Sequence, residues 1–409
     1  MIFQAIYATF VGMITSDILA DSQKYNMNTY GRQPIVLVKG RGSKVYDSDG
    51  REYIDFVAGV ASNNLGHCHP RVVMALQKQA QRLIHVSNHY HNEPQINLAK
   101  ALVHHSFADK VFFCNSGTEA VEAAIKLARK YSRDVLKRDR FEIITMRGSF
   151  HGRTMGALAA TAQERFHKAF EPLVPGFRYV PFNDIGAVKQ AVNDRTCAVL
   201  VEPIQGEGGV NVPSGNYLRE LRDICDQHEI LLMLDEIQTG MGRTGKLFAY
   251  EHTDVHPDVI MLAKGLGAGM PIGALLATDK AALAFTPGAH GSTFGGNPLA
   301  CAAGLASLEA LLEDDIIIPS VDQLGTYFMA ELEKLKMKYG FIKDVRGKGL
   351  LIGMELDFDG KEIVTTCLKE GLLINCTMDR VLRFMPPLVV SLEEIDRLLD
   401  VLDAIFAMR

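Results

Sequence analysis

The 409-residue chain lacks several features that mark special classes of protein. Its formal net charge is −5, its pI is near 6.2, and it contains no stretch rich in lysine and arginine. Because nucleic-acid binding depends on basic side chains that neutralise phosphates, we expect no nucleic-acid partner. Internal repeats, low-complexity runs and long linkers are absent too. The composition, 47% hydrophobic and 22% charged, is typical of a globular protein of about two to three domains.

Cysteine pairs and long hydrophobic runs are absent as well. The seven cysteines are scattered, odd in number and without a CxxC pair, which indicates reduced thiols in a cytoplasmic protein rather than a disulfide scaffold. The apolar opening, residues 1–14, is too short to span a bilayer and lacks the basic start of a signal peptide. We interpret residues 1–26 as a tail or docking segment and expect no membrane partner.

The order of apolar segments predicts the fold class. From about residue 110, short β-rich runs alternate with helical patterns, which is typical of an α/β protein with a mostly parallel sheet buried between helices. The chemistry of such proteins lies at the carboxyl ends of the strands. The earlier segment SKVYDSDGREYIDFVAG has the pattern of a hairpin around a DG turn. After Pro298, helices, short strands and a closing helix from Glu393 predict an α+β end segment.

One lysine follows an apolar run in an unusual setting. In VIMLAKGLGAGMPIGA, residues 259–274, Lys264 comes after a predicted buried strand and before a segment too rich in glycine for a helix. Most lysines are solvated, but one at the end of an internal strand can be desolvated enough to act as a nucleophile. Asp235 follows five apolar residues and precedes Lys264 by 29 residues, which is enough for one crossover between parallel strands. Neighbouring strand ends should therefore bring together an acid and a lysine.

The start of a predicted helix offers an anion site. Ser116, Gly117 and Thr118 lie where the strand KVFFCN gives way to a helical pattern, so free N–H groups and two hydroxyls converge there. Taken alone, plain helix capping explains these residues equally well. The next strand is followed by Phe150 and Arg153, an aromatic ring and a guanidinium that could bind a carboxylate.

Pyridoxal phosphate (PLP) requires this combination of groups. A lysine bonds covalently to the cofactor, an acid keeps the ring nitrogen protonated, and a helix start binds the phosphate. The glycines around Lys264 would let the backbone approach the cofactor closely. Glu202, which directly follows the apolar run CAVLV, would need a cationic partner. We therefore interpret the strand edge as a PLP site.

Three other motifs match their patterns only in part. The segment GMGRTGKL, residues 240–247, has Leu247 where a P-loop needs a hydroxyl, and GLGAGM has Met270 where a dinucleotide motif needs glycine. In HCHP, residues 67–70, the side chains alternate in direction and no second ligand pair is near, so we interpret it as a structural turn and expect no metal. Two alternatives to a PLP-dependent enzyme remain: an ATP-binding protein and a non-catalytic protein that binds PLP.

Eight segments resemble the class III (ω-amino) aminotransferases of PLP fold type I. In order they are GHCHP, NSGTEAVEAAIKLARK, FHGRT, VEPIQGEGG, DEIQTGMGRTG, AKGLGAGMPIGA, HGSTFGGNP and LRFMPPL, and they cover roughly residues 30 to 390. The resemblance implies a large PLP-binding domain, residues 66–298, with a mostly parallel seven-stranded sheet. It also implies a smaller α+β domain formed by residues 27–65 and 299–409.

The resemblance assigns roles in the cofactor site. Lys264 would bind the cofactor covalently and later move a proton, Asp235 would pair with the ring nitrogen, and Gln238 would contact the phenolic oxygen. The other implied cofactor-binding residues are Ser116, Gly117, Thr118, Phe150, Ser292 and Thr293. The phenylalanine would stack on the ring and the others would serve the phosphate. The threonine of HGSTFGG would reach the neighbouring subunit, so a homodimer with shared active sites is implied.

Substrate binding is implied for four residues. Tyr30 and Arg153 would bind the α-carboxylate of the amino donor. Arg383 would bind a carboxylate of glutamate or 2-oxoglutarate once its pairing with Glu202 is broken, so that one pocket serves two substrates in turn. Val60 stands where relatives specific for ornithine have tyrosine, which favours an acylated ornithine.

The implied reaction is a transamination in arginine biosynthesis. The terminal amino group of N2-acetylornithine would pass to 2-oxoglutarate and give N-acetylglutamate 5-semialdehyde and glutamate. The alternative donors are succinyldiaminopimelate, ornithine and 4-aminobutyrate, and an enzyme that uses more than one donor is also open.

Overall fold

The structure, a computed structural model, describes residues 15–313 and 316–409. The apolar opening, residues 1–14, lies outside the described residues, so its role as a tail or docking segment stays a prediction. Most of the remaining predicted tail forms the helix Thr15–Tyr25, which has no buried residue. No helix in the described part of the chain is both long and apolar enough to cross a membrane.

Strands and helices alternate through the middle of the chain, as the sequence predicted. The strands, in chain order, are β1 (Leu37–Arg41), β2 (Lys44–Asp47), β3 (Glu52–Asp55), β4 (Lys110–Cys114), β5 (Glu142–Met146), β6 (Phe177–Val180), β7 (Thr196–Val201), β8 (Leu231–Asp235), β9 (Val259–Leu262), β10 (Gly273–Ala277), β11 (Ile342–Lys348), β12 (Leu351–Leu356), β13 (Leu372–Leu373), β14 (Asn375–Thr377) and β15 (Val381–Phe384). The longer helices are Thr15–Tyr25, Pro70–Ala80, Glu93–His104, Gly117–Lys130, Ile185–Ala191, Tyr217–His228, Pro298–Leu312, Ile317–Lys338, Lys361–Lys369 and Leu392–Ala407.

A central sheet has seven strands in the order β4-β10-β9-β8-β7-β5-β6. Strands β6, β5, β7, β8 and β9 pair in parallel, whereas β10 is antiparallel to both of its neighbours. All residues of β5, β7, β8, β9 and β10 are buried, because helices cover both faces of a parallel sheet. The predicted α/β fold with a mostly parallel seven-stranded sheet is confirmed.

Two smaller sheets contain strands from the two ends of the chain. One has the order β1-β2-β3-β13 and the other β11-β12-β15-β14. The predicted hairpin is confirmed as β2 and β3, and β13 adds to its edge in parallel, with Leu372 opposite Ile54. These sheets lie within the segments 27–65 and 299–409 that were predicted to form the smaller domain. The boundaries of that domain and of the large domain, 66–298, stay predictions.

The helices begin where the sequence signals indicated. The closing helix starts at Leu392, one residue before its predicted start, and Ser391 and Glu394 form a capping box there. The helix Gly117–Lys130 begins after Ser116, whose hydroxyl oxygen accepts the N–H of Glu119. The carboxyl ends of the central strands and the start of this helix therefore meet at one edge of the sheet.

Two adjacent acids at the end of β8 have different surroundings. The carboxylate of Glu236 accepts the backbone N–H of Ala249 over 2.7 Å and that of Tyr250 over 2.8 Å, and the hydroxyl of Thr239 over 3.2 Å. Burial raises the pKa of Glu236 to about 7. The carboxylate of its neighbour Asp235 lies in the site described below, as the alternation of side chains along a strand requires.

The stability of the protein should depend on pH through Glu236. Because its pKa rises from 4.5 to about 7 on folding, its protonated form stabilises the fold fully below pH 4.5, and this contribution is lost as the pH rises through 7. Relative to Glu236→Gln, the wild type should lose up to about 3 kcal/mol of unfolding free energy between pH 4.5 and 8. Urea unfolding at both pH values measures this difference. The same pH dependence in both proteins would contradict the expectation.

Candidate active site

The acid and the lysine leave adjacent strands, as the sequence predicted. Asp235 is the last residue of β8 and pairs in register with Met261 of β9, and Lys264 follows two residues after the end of β9. Both side chains line one cavity of about 470 Å³ at this edge of the sheet. That volume is within the usual range for a site that holds a small molecule or cofactor.

Most of the predicted site residues line this cavity. Those that do are Ser116, Gly117, Thr118, Phe150, Arg153, Glu202, Asp235, Gln238 and Lys264. Of the other predicted residues, Tyr30 lines a separate cavity of about 1070 Å³ beside the helix Thr15–Tyr25. Arg383, on β15, does not line the cavity but contacts Glu207, which does. Ser292 and Thr293 lie on the loop before the helix Pro298–Leu312. Nine of the predicted residues therefore line one cavity, and four lie outside it.

The backbone at Lys264 has an unusual conformation. The φ angle of Lys264 is +45°, and a short 3-10 turn, Lys264–Leu266, follows. A Cβ on Gly265 would lie 2.4 Å from Nδ2 of Asn64, and one on Gly267 would lie 1.9 Å from the carbonyl oxygen of Met270. These two glycines make room for protein atoms, and the expectation that they let the backbone approach the cofactor stays a prediction. Burial lowers the pKa of the Lys264 amine, which favours its neutral, nucleophilic form.

Asp235 has a buried histidine as its partner. Nδ1 of His151 lies 2.7 Å from Oδ2 of Asp235, and the N–H of Ile237 donates to Oδ1 over 3.1 Å. The His151 side chain is fully buried. It holds the carboxylate in one orientation toward the cavity. The sequence assigns His151 no role, because nothing in the segment SFHGRT indicates which strand its ring faces.

The helix start that was predicted to bind phosphate is capped by its own serine. Oγ of Ser116 accepts the N–H of Glu119 over 3.3 Å and donates to its carboxylate over 2.9 Å. Oγ1 of Thr118 lies 2.9 Å from Oγ1 of Thr154. A Cβ on Gly117 would lie 2.8 Å from the Ile237 side chain, so glycine lets the helix start approach the end of β8. The helix start can therefore combine capping with anion binding.

Arg383 pairs with Glu207, so the predicted pairing with Glu202 was wrong. Nη1 of Arg383 lies 2.6 Å from Oε1 of Glu207, and the Arg383 side chain is only 2% exposed. Burial acts in the opposite direction, but the Arg383 charge holds the pKa of Glu207 below its ordinary value. The pairing with Glu202 was implied by the family resemblance, and both acids lie in the same segment, VEPIQGEGG.

Glu202 is held at the strand end by backbone groups. Its carboxylate accepts the N–H of Phe150 over 3.1 Å and that of Gly206 over 3.4 Å. Burial and, to a lesser extent, the nearby Asp235 raise the pKa of Glu202 well above its ordinary value. Glu202 directly follows β7 and bonds to these backbone groups, whereas Glu207 lies on a loop that contacts the sheet containing β15.

Arg153, which lines the cavity, and the predicted residues outside the cavity are exposed or contact other groups. The guanidinium of Arg153 lies at the surface, 4.1 Å from the ring centre of Phe166. Thr293 is exposed, and Oγ of Ser292 accepts Nδ2 of Asn115 over 3.1 Å. This places Ser292 next to the helix start at Ser116. A substrate role for Tyr30, which is 69% exposed, stays a prediction.

The segment that partly matches a P-loop holds separate parts of the chain together. The buried guanidinium of Arg243 donates to the carbonyl oxygens of Leu350 over 3.1 Å and Pro386 over 2.6 Å, and to Oδ1 of Asn64 over 2.8 Å. Burial lowers the pKa of Arg243 to about 9. A 3-10 turn, Ala249–His252, follows in place of the helix that a P-loop needs. The segment is therefore a structural connection.

The cavity, its lysine and its acid agree with what comparison of the whole chain finds. Residues 25–406 match the family described as Aminotransferase class-III. The chain belongs to the class III aminotransferases. Enzymes of this family depend on PLP, and the buried acid, the desolvated lysine and the helix start fit that cofactor.

Relatives extend over almost the entire chain. The acetylornithine aminotransferase of Methanocaldococcus jannaschii is 55% identical over 387 residues, which are 94% of this chain and 96% of the relative. An ornithine aminotransferase structure from Toxoplasma gondii with partial occupancy of PLP at its active site has a TM-score of 0.95 and 38% identity, covering 100% of this chain and 97% of its own. The structure of the N-acetylornithine aminotransferase of Stenotrophomonas maltophilia K279a has a TM-score of 0.81 and 40% identity. The match covers 96% of this chain and 100% of that protein's chain.

Proposed function

We propose that this class III aminotransferase transfers the terminal amino group of N2-acetylornithine to 2-oxoglutarate in arginine biosynthesis. The products are N-acetylglutamate 5-semialdehyde and glutamate. The observation that carries the chemistry is the single cavity that Lys264 and Asp235 line with the start of the helix Gly117–Lys130. The 55% identical acetylornithine aminotransferase supports the choice of donor.

Each group in the cavity has a proposed task. When bound, PLP withdraws electrons from the carbon next to the amino group and so acidifies its proton. Lys264, whose pKa is lowered by burial, would bond to the cofactor and later move that proton. Asp235, oriented by His151, would keep a proton on the ring nitrogen, and Gln238 would contact the phenolic oxygen. Ser116, Gly117, Thr118 and Ser292 would hold the phosphate, and Phe150 would stack on the ring.

The pair of Arg383 and Glu207 explains how one cavity serves two substrates. While Glu207 occupies the guanidinium, the site presents no free cation there to the acetylated donor. When a dicarboxylate enters, one of its carboxylates replaces Glu207 on Arg383. Arg153, at the surface of the cavity, together with Tyr30, binds the α-carboxylate of the donor.

We also propose a cytoplasmic homodimer with shared active sites. Thr293 and Phe294 are adjacent and exposed, and Phe294 is 58% exposed, which is unusual for so large an apolar side chain. A second copy that covers this loop would bury the phenylalanine and bring the threonine toward a phosphate site. The seven unpaired cysteines agree with a reducing compartment.

Ornithine is the second candidate donor. The Toxoplasma gondii ornithine aminotransferase superposes with a TM-score of 0.95. Against ornithine, Val60 on the turn Ala58–Ala61 has no polar atom to meet a free α-ammonium group, whereas the acetylated nitrogen of the proposed donor carries no charge.

The visible spectrum of the PLP-loaded protein tests the proposal. Acetylornithine, succinyldiaminopimelate, ornithine and 4-aminobutyrate are added singly without a keto acid, and conversion of the cofactor from its aldehyde to its amine form is timed. We expect acetylornithine to be at least about tenfold faster than ornithine, the difference of about 1.4 kcal/mol that one lost polar contact produces. If another amine reacts faster, the donor assignment is wrong although the chemistry stands.

A further inference from the structure

The short strand β14 contacts both members of the ion pair between Arg383 and Glu207. It contains three residues, Asn375–Thr377, and pairs with β15 so that Asn375 lies opposite Arg383. Its last residue, Thr377, donates its hydroxyl to the backbone carbonyl of Glu207 over 2.6 Å. One strand therefore contacts the arginine at one end and the backbone of its acidic partner at the other.

Asn375 contacts the guanidinium of Arg383 in either orientation of its amide. In one orientation, Oδ1 of Asn375 accepts a hydrogen bond from Nε of Arg383 over 3.3 Å. In the orientation that satisfies both ends of the amide, the oxygen accepts Nη2 over 2.8 Å and the nitrogen donates to the Arg383 carbonyl over 3.2 Å. Glu207 occupies Nη1. The Arg383 guanidinium therefore has two side-chain partners: the charged Glu207, which a substrate carboxylate can replace, and the neutral Asn375 on the same sheet.

The backbone that carries Glu207 is fixed to the same sheet. Nε and Nη2 of Arg346, on β11, donate to the carbonyl of Gly209 over 3.0 Å and 2.7 Å, and Thr377 holds the carbonyl of Glu207 itself. Arg346 is in turn fixed by Glu355 over 2.6 Å. Because the loop is held at two points, Glu207 can leave Arg383 by rotating its side chain while its backbone stays in place.

We propose that Asn375 is a positioning residue for the dicarboxylate substrate. It keeps the Arg383 guanidinium in place during the exchange of Glu207 for a substrate carboxylate. Without it, the arginine would lose its remaining side-chain partner each time Glu207 turned away, and a buried guanidinium without partners is costly. Since the amide is neutral, it does not compete with the carboxylate that must bind. This inference rests on the proposed function only in that a dicarboxylate is one of the two substrates.

The test compares Asn375→Leu and Asn375→Asp with the wild type in PLP-loaded protein. Glutarate, a dicarboxylate without an amino or keto group, cannot react, so its dissociation constant from calorimetry reports binding alone. The leucine variant should bind glutarate about 10- to 100-fold more weakly, the loss expected for one hydrogen bond to a charged group. The aspartate variant retains an oxygen beside Arg383 but adds a competing charge, so it should also weaken glutarate binding. Cys376→Ser, at the neighbouring position of β14, is the matched control and should bind as the wild type does.

Single-turnover kinetics separate positioning from general damage. In the leucine variant, the half-saturating concentration of glutamate should rise about 10-fold or more with little change in the maximal rate, and the reaction with acetylornithine should be little affected. Unchanged glutarate affinity, or equal losses with glutamate and acetylornithine, would overturn the inference. A wild type that reacts with glutamate and not with acetylornithine would overturn the donor assignment alone, because glutarate and glutamate test Asn375 independently.

Discussion

Replacement of Lys264 by alanine should lower the transamination rate by at least about four orders of magnitude, because it removes both the covalent link to the cofactor and the base that moves the proton. The cavity would keep Asp235 and the helix start, so PLP should still bind, without a covalent bond. The measurement is kcat for acetylornithine with 2-oxoglutarate, together with the absorbance of bound PLP. Near-normal turnover by the alanine variant would contradict the assignment of the lysine.

The matched control is Lys246→Ala. Lys246 is the exposed lysine of GMGRTGKL, 18 residues before Lys264. Its replacement should leave turnover unchanged. The same variant tests the ATP-binding alternative. Saturable ATP binding that is lost in Lys246→Ala would support that alternative, whereas we expect none in the wild type, because Arg243 and the turn Ala249–His252 form no phosphate loop.

Asp235→Asn should have the second largest effect, a loss of about 10²- to 10³-fold in kcat, the range seen when one preorganised electrostatic group is removed. Asparagine has nearly the same shape and can still contact His151, but it has no charge to hold a proton on the ring nitrogen. The dissociation constant of PLP should rise as well, which provides a readout separate from turnover. Both quantities can be measured on the same preparation of the variant.

The adjacent acid gives a sharp control for this variant. Glu236 is buried on the same strand end but binds Ala249, Tyr250 and Thr239, away from the cavity. Glu236→Gln changes the buried carboxyl group next in sequence and should keep kcat and PLP affinity within about twofold, since Glu236 touches no reacting group. Equal losses in the two variants would indicate general damage to this part of the sheet and contradict a specific role for Asp235.

The sequence was informative where strands are buried on both faces. Continuous apolar runs located β7, β8 and β9, and the polar residue that ends such a run, Asp235, has a determined direction because strand geometry leaves little choice. Lys264 could be placed for the same reason. The parallel order of the sheet then brought these residues to one edge, so the cavity could be predicted before its shape was known.

The sequence was much less informative about loops. Glu202 and Glu207 both follow β7, and only the path of the loop, fixed by Arg346 and Thr377 from distant parts of the chain, decides which acid meets Arg383. The partner of Asp235 depends in the same way on tertiary packing, since His151 comes from the end of another strand. Such contacts join residues far apart in sequence, and no local pattern encodes them.

The pairing of β13 with β3 determines when the amino-terminal sheet can be completed during synthesis. Leu372 and Leu373 bind beside Ile54 and Asp55, and the side chain of Ser43 donates to Glu394, so the edge of the early hairpin stays open until more than 300 further residues have been made. An open strand edge can pair with other chains. A chain whose synthesis ends between β12 and β13 would therefore have all strands of its central sheet but an aggregation-prone edge on its amino-terminal sheet.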